Sequence, residues 1–278
     1  MEREYNVGTW LTPSDEYIKD IKQTLVEKGV ATELTPNEEL SESINNIKSM
    51  GDLLDYTKSM RYMFYQNTKI TDLTPFFKQN DTKNVEDMTN MCSRCTNLIS
   101  FPKINMSKVT RANDAFSYCS SLKEFYTDDT SALTQVTSMF LNCVSIETIS
   151  GIDFLNVNVA PQGFVSDCRN LKNLYIKNIK YNLQIGYGTL TGSSSYGHLL
   201  TLDSLVNTCK ECIKTYSRTL TVGTANIEKL ANVYVRFVDI NQTTIAEGEK
   251  GDVVVCEADN NDAMTITEYM ALKSWTLA

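Results

Sequence analysis

An α/β solenoid, with one short strand and one helical turn in each repeat of about 24 residues, is the fold class the sequence predicts. Three observations predict it. The first is a motif, apolar-x-x-apolar-apolar-x-x-Cys, that recurs six times with Asn once in place of Cys. The copies are Met60/Met63/Phe64/Asn67, Met88/Met91/Cys92/Cys95, Ala112/Ala115/Phe116/Cys119, Val136/Met139/Phe140/Cys143, Pro161/Phe164/Val165/Cys168 and Leu202/Leu205/Val206/Cys209. The second is spacing: the first positions lie 28, 24, 24, 25 and 41 residues apart, a period that marks leucine-rich-repeat solenoids. The third is that offsets 0, 3, 4 and 7 fall on one face of a helix. Two more apolar residues follow each copy, as in Ile70 and Leu73, Leu98 and Phe101, Leu122 and Phe125, Ile146 and Ile149, and Leu171 and Leu174. Runs such as Leu122-Lys-Glu-Phe-Tyr-Thr and Leu171-Lys-Asn-Leu-Tyr-Ile read as strands. No single repeat can bury its own apolar positions, so neighbouring repeats must pack together.

Along the chain the pattern divides into residues 1–56, a helical region for attachment or capping; 57–230, the repeats; and 231–278, a C-terminal cap. Trp10 and Leu11 stand in a polar arm suited to docking. Residues 14–28 read as a helix begun by Ser14 or Asp15 and ended by Gly29, with Ile18, Ile21 and Leu25 on one stripe. A second helix starts at Thr35-Pro36 and runs to Gly51, with Glu38 and Glu39 near its positive end and Leu40, Ile44 and Ile47 inside. The two helices either close the end of the repeats or form a separate attachment module. Both readings stay open.

Between Lys180 and His198 the repeat is longer by 17 residues and rich in Gly, Ser and Tyr. Tyr181, Tyr187 and Tyr196 there form a candidate ligand-contacting loop, since aromatic faces offer contact area at little entropic cost. The alternative is a degenerate extra coil. From Arg218, Thr-Leu-Thr-Val-Gly-Thr-Ala-Asn-Ile-Glu-Lys-Leu reads as a strand and a helical turn. Val233, Val235 and Phe237, then Val253-Val254-Val255, read as strands separated by a Gly248/Gly251 turn. Met264 to Trp275 reads as a short helix that returns Trp275 to the body.

The formal charge of −8 is concentrated at the two ends, and the repeat region is near neutral. A nucleic-acid partner, which favours a clustered Lys/Arg face, is not expected. No apolar stretch of membrane-spanning length and no signal peptide is visible. Eight cysteines include Cys92-x-x-Cys95 and Cys209-x-x-Cys212, which have zinc-ribbon spacing. Their places within the repeat fit small buried thiols, and disulfides between adjacent coils are a third reading. His198 is the single histidine, and no nucleophile motif accompanies it. Phosphate-loop, HExxH, EF-hand and dinucleotide motifs are missing. No catalytic residue, metal ligand or cofactor is therefore expected.

The units Val-Thr-Ser-Met139-Phe140-x-x-Cys143-x-x-Ile146 and Ala115-Phe116-x-x-Cys119-x-x-Leu122 resemble the BspA-like leucine-rich repeats of bacterial surface proteins, over about residues 57–230. Three further segments resemble a subset of that family encoded by bacteriophages and prophages of gut bacteria. They are the leading helices, with Ile-Lys-x-x-Leu-x-x-Lys-Gly and Leu-x-x-Ser-Ile-x-x-Ile; Asp203-Ser-Leu-Val-Asn-Thr-Cys with the run from Arg218; and the tail from Met264. The resemblance implies a non-enzymatic virion protein of tail, baseplate or capsid surface. Its expected partners are other virion proteins, a host-surface glycan or protein, and further copies of itself. A purely architectural decoration protein and a bacterial cell-surface adhesin are the alternatives.

Overall fold

The computed structural model describes residues 14–27, 58–185, 199–245, 252–257 and 262–278. Among the described residues the helices are α1 (Asp15–Glu27), α2 (Thr74–Phe77), α3 (Leu202–Glu211), α4 (Thr224–Leu230) and α5 (Ile266–Leu272). Strands β1 (Glu124–Tyr126), β2 (Thr148–Asp153) and β3 (Asn173–Lys177) form one parallel sheet in that order. A second parallel sheet runs β4 (Leu183–Gln184), β5 (Arg218–Thr221), β9 (Trp275–Leu277), and an antiparallel one β7 (Asp252–Cys256), β6 (Tyr234–Val238), β8 (Met264–Thr265).

This mixed α/β arrangement corrects the expected leucine-rich-repeat solenoid of one strand and one helical turn per repeat. Of the six motif copies only the last is a helix, α3; the other five are successions of tight turns. Every fourth residue in them has positive φ: Tyr62 and Gln66, Asn90 and Arg94, Asp114 and Tyr118, Ser138 and Asn142, Gly163 and Asp167. A right-handed helix cannot pass through such residues.

Hydrogen bonding tells the same story. Met63 N–H closes a turn on the Met60 carbonyl at 3.1 Å and Asn67 on Phe64 at 3.0 Å. The alternate N–H groups of Met60, Tyr62, Phe64 and Gln66 donate instead to Asp87, Thr89, Met91 and Ser93 in the next repeat. A helix would keep these groups for itself. The turns nonetheless bury offsets 0, 3, 4 and 7, as Met88, Met91, Cys92 and Cys95 show. The strand expectation does better where the chain runs Leu122–Thr127, Ile146–Asp153 and Leu171–Lys177, whereas the earlier repeats make single bridges such as Asp72 with Ser100.

Inside, aromatic rings form a continuous chain. Phe77 meets Phe101 at 5.3 Å between centroids, Phe101 meets Phe116 at 4.7 Å, Phe116 stacks on Phe140 at 5.5 Å, and Phe140 meets Phe164 at 5.6 Å. At one end α1 buries Tyr17 and Ile18 in this core. Ser14, just before α1, donates its N–H to the Met63 carbonyl at 3.0 Å and its hydroxyl to the Tyr62 carbonyl. The same hydroxyl accepts from the Tyr17 N–H at 3.1 Å.

At the other end the final residues pair back. Trp275 is buried as expected, and its Nε1–H donates to the Ile213 carbonyl at 2.7 Å. The strand it begins, β9, was not anticipated, and it joins β5 in parallel. A capping box holds α5, with Thr265 and Glu268 each bonding the other's backbone N–H. Trp10, Leu11, the helix expected from Thr35 to Gly51 and the Gly248/Gly251 turn lie outside the described residues.

Candidate functional site

Alternation along the β1–β2–β3 sheet separates two faces. Phe125, Ile149 and Leu174 lie side by side in register and point into the core. The residues between them point out. Tyr126, Ser150 and Tyr175 form one outward row across the three strands, and Glu124, Thr148 and Asn173 form the next. Tyr126 is 43% exposed.

Hydrogen bonds hold this face in place. The Tyr175 hydroxyl donates to Asp203 Oδ2 at 2.8 Å, reaching from β3 to the first turn of α3. That bond, more than burial, raises the Tyr175 phenol above its ordinary pKa, so it stays protonated. The Tyr126 hydroxyl donates to Glu124 Oε2 at 3.2 Å on its own strand. Asn173 Nδ2 donates to Thr148 Oγ1 at 3.3 Å and Asn173 Oδ1 accepts from Thr201 Oγ1 at 3.1 Å. Thr201 also caps α3, its side chain accepting from the Ser204 N–H, which places Asp203 beside Tyr175.

Below the outward row β2 carries an irregularity between Ser150 and Ile152. Gly151 occupies it at φ +92°, and a Cβ there would stand 1.9 Å from the Thr127 carbonyl oxygen. Only glycine fits. The kink fixes where Ser150 sits between the two tyrosines.

Of the loop tyrosines singled out from sequence, Tyr181 packs half-buried against the core, with Lys180 Nζ 5.9 Å from its ring centroid. Tyr187 and Tyr196 lie outside the described residues, as does His198. The sheet tyrosines were readable but unread: in Leu122–Thr127 and Leu171–Ile176 the period-2 pattern turns Tyr126 and Tyr175 outward.

The thiols are structural. All eight cysteines are free, and seven are buried. Four of them bond the preceding repeat: Cys95 Sγ–H donates to the Phe64 carbonyl at 2.9 Å, Cys119 to Cys92 at 3.1 Å, Cys143 to Phe116 at 3.0 Å and Cys168 to Phe140 at 3.1 Å. Burial pushes the thiols of Cys92, Cys119, Cys143 and Cys168 well above their ordinary range. Thiols held in this way keep their protons at neutral pH. Among the described residues no group of three or more His, Cys, Asp or Glu side chains is placed to hold a metal ion, and no helix is long and apolar enough to cross a membrane.

A protein family described as "Mycoplasma protein of unknown function, DUF285" matches residues 56–184, a span that contains the first five motif copies and β1–β3. Comparison with curated proteins and with solved structures gives no match.

Proposed function

We propose that this chain is a bacteriophage virion protein with a structural or adhesive role in tail, baseplate or capsid surface, presenting the outward face of β1–β2–β3 to a host-surface glycan or protein. The observation that carries the reading is the tethered row Tyr126–Ser150–Tyr175, a rigid aromatic and polar face on regular strands. Faces of this kind bind well because little entropy is lost on contact. The resemblance of the repeats, the leading helices and the tail to phage-encoded proteins supports placing that face on a virion. The protein acts there without catalysis, beside other virion proteins, and as several copies that strengthen weak contacts together.

A purely architectural decoration protein is the second reading. The exposed apolar Leu155 and Val159, just past β2, favour it, because side chains of this kind suit contact with neighbouring subunits.

Mass spectrometry of purified virions, with labelled-antibody imaging, tests the placement. A fixed copy number per particle is the expected result. Absence from particles together with presence on the bacterial envelope would replace this reading with that of a cell-surface adhesin.

A further inference from the structure

Tyr126 and Tyr175 stand at one register level on strands separated only by β2, with Ser150 between them. Side chains on a sheet rise roughly perpendicular to it, and two strand spacings amount to roughly 9 to 10 Å. The row is thus a slot with aromatic walls and a hydroxyl floor. Two planes of carbon contact at about 3.5 to 4.0 Å each fit within that width, which is room for one pyranose ring.

Carboxylates flank the slot on both sides, with Lys123 next to Glu124 in sequence. Glu124 and Asp203 stand beside its two walls, each receiving a hydrogen bond from the neighbouring phenol. Among the described residues no lysine or arginine forms an ion pair with either, whereas nearby Glu147 and Asp128 are taken by Lys172 and Lys103. The next cation along β3, Lys177, lies opposite Asp153 in register. Aromatic faces attract a cation through their quadrupoles. Two carboxylates without an ion-pair partner add to that attraction. Ser150, Thr148 and Asn173 add hydroxyl and amide groups that exchange hydrogen bonds with a polyhydroxylated ligand.

We infer that this slot binds a glycan bearing free amino sugars, its ring between Tyr126 and Tyr175 and its ammonium group drawn to Glu124 and Asp203. The inference rests on the reading of β1–β2–β3 as the presented face, and it names the chemistry that face recognises.

The test is calorimetric titration of the full chain with a β-1,4-glucosamine hexamer at mildly acidic pH, against the fully N-acetylated hexamer and hexalysine. The glucosamine hexamer should bind, and the other two should bind at least about tenfold more weakly. Tyr126→Ala and Tyr175→Ala should each weaken the hexamer about tenfold, and Asp203→Asn should weaken it and flatten the salt dependence. Tyr175→Phe, which keeps the ring, should retain most of the affinity. Equal binding of the acetylated hexamer would remove the amine from the recognition. Equal binding of hexalysine would reduce it to charge alone. No binding at all, or tyrosine variants that melt and bind like the parent, would also overturn it. A chain found in virions that ignores the hexamer loses only this ligand; a chain that binds the hexamer but is absent from virions loses only the placement.

Discussion

Phe140 touches Phe116, Phe125 and Phe164, at centroid distances of 5.5, 5.0 and 5.6 Å, so it joins three repeats through one side chain. Replacing it by alanine removes all three contacts at a fully buried position. Phe140→Ala should cost roughly 3 to 5 kcal/mol in urea unfolding; a melt superimposable on the parent would contradict this packing. Gly151 makes a sharper case, because any side chain there collides with the Thr127 carbonyl and must also hold φ at +92°. Gly151→Ala should lower stability by more than about 2 kcal/mol, read as a drop in the urea midpoint. The apolar role of the repeated cysteine could be read directly from its recurrence. Its bond to a carbonyl of the preceding repeat could not, because that partner lies 27 to 31 residues away and nothing local announces it.

The turn segments explain why an element was misjudged while its burial was right. A helix and a chain of turns with left-handed residues at offsets 2 and 6 place the same four positions inward, so apolar spacing cannot separate them. The distinguishing signal sits at those two offsets, where Asn, Asp, Ser and Gly stand in several copies. Such residues tolerate positive φ. In copies that carry Tyr62, Arg94 or Tyr118 there, the hint is hidden. Ser138 holds φ at 53°, and glycine relaxes that strain at some entropic cost. Ser138→Gly should raise stability by about 0.5 to 1 kcal/mol, seen as a higher melting temperature. A loss of stability would mean that Ser138 is not left-handed. β1 to β3 were legible because their alternation is clean, and β9 was not, because three residues at the chain end carry no pattern.

Across the whole molecule the buried thiols set a pH limit. An unfolded cysteine ionises near 9, while Cys92, Cys119, Cys143 and Cys168 are raised well above that and Cys209 is pushed up to about 12. Folded pKa values above unfolded ones mean stability that is complete below pH 9 and is lost as the unfolded chain releases protons the folded one keeps. Each such thiol removes about 1.4 kcal/mol per pH unit. Lys273 works the other way. Half-buried against α3, with its Nζ donating to the carbonyls of Cys209 at 3.3 Å and Lys210 at 2.5 Å, it is lowered by loss of solvent from 10.5 to about 8. Between those values it adds stability as pH rises, by one proton against several. Urea midpoints should therefore change little from neutrality to pH 9 and fall steeply beyond it; a midpoint that holds past pH 10 would contradict the burial of the thiols.

Across the turn segments alternate N–H groups of each repeat point toward the repeat that follows, from Met60 to Asp87, Met88 to Arg111, Ala112 to Gln135 and Phe140 to Phe164. These bonds give the stretch a heading, like arrows laid nose to tail. Its leading end shows carbonyls, and Ser14 meets them with an N–H and a hydroxyl, both donors. Two such stretches set leading end to leading end would face acceptor against acceptor. Anything that extends the row must therefore arrive in the same direction.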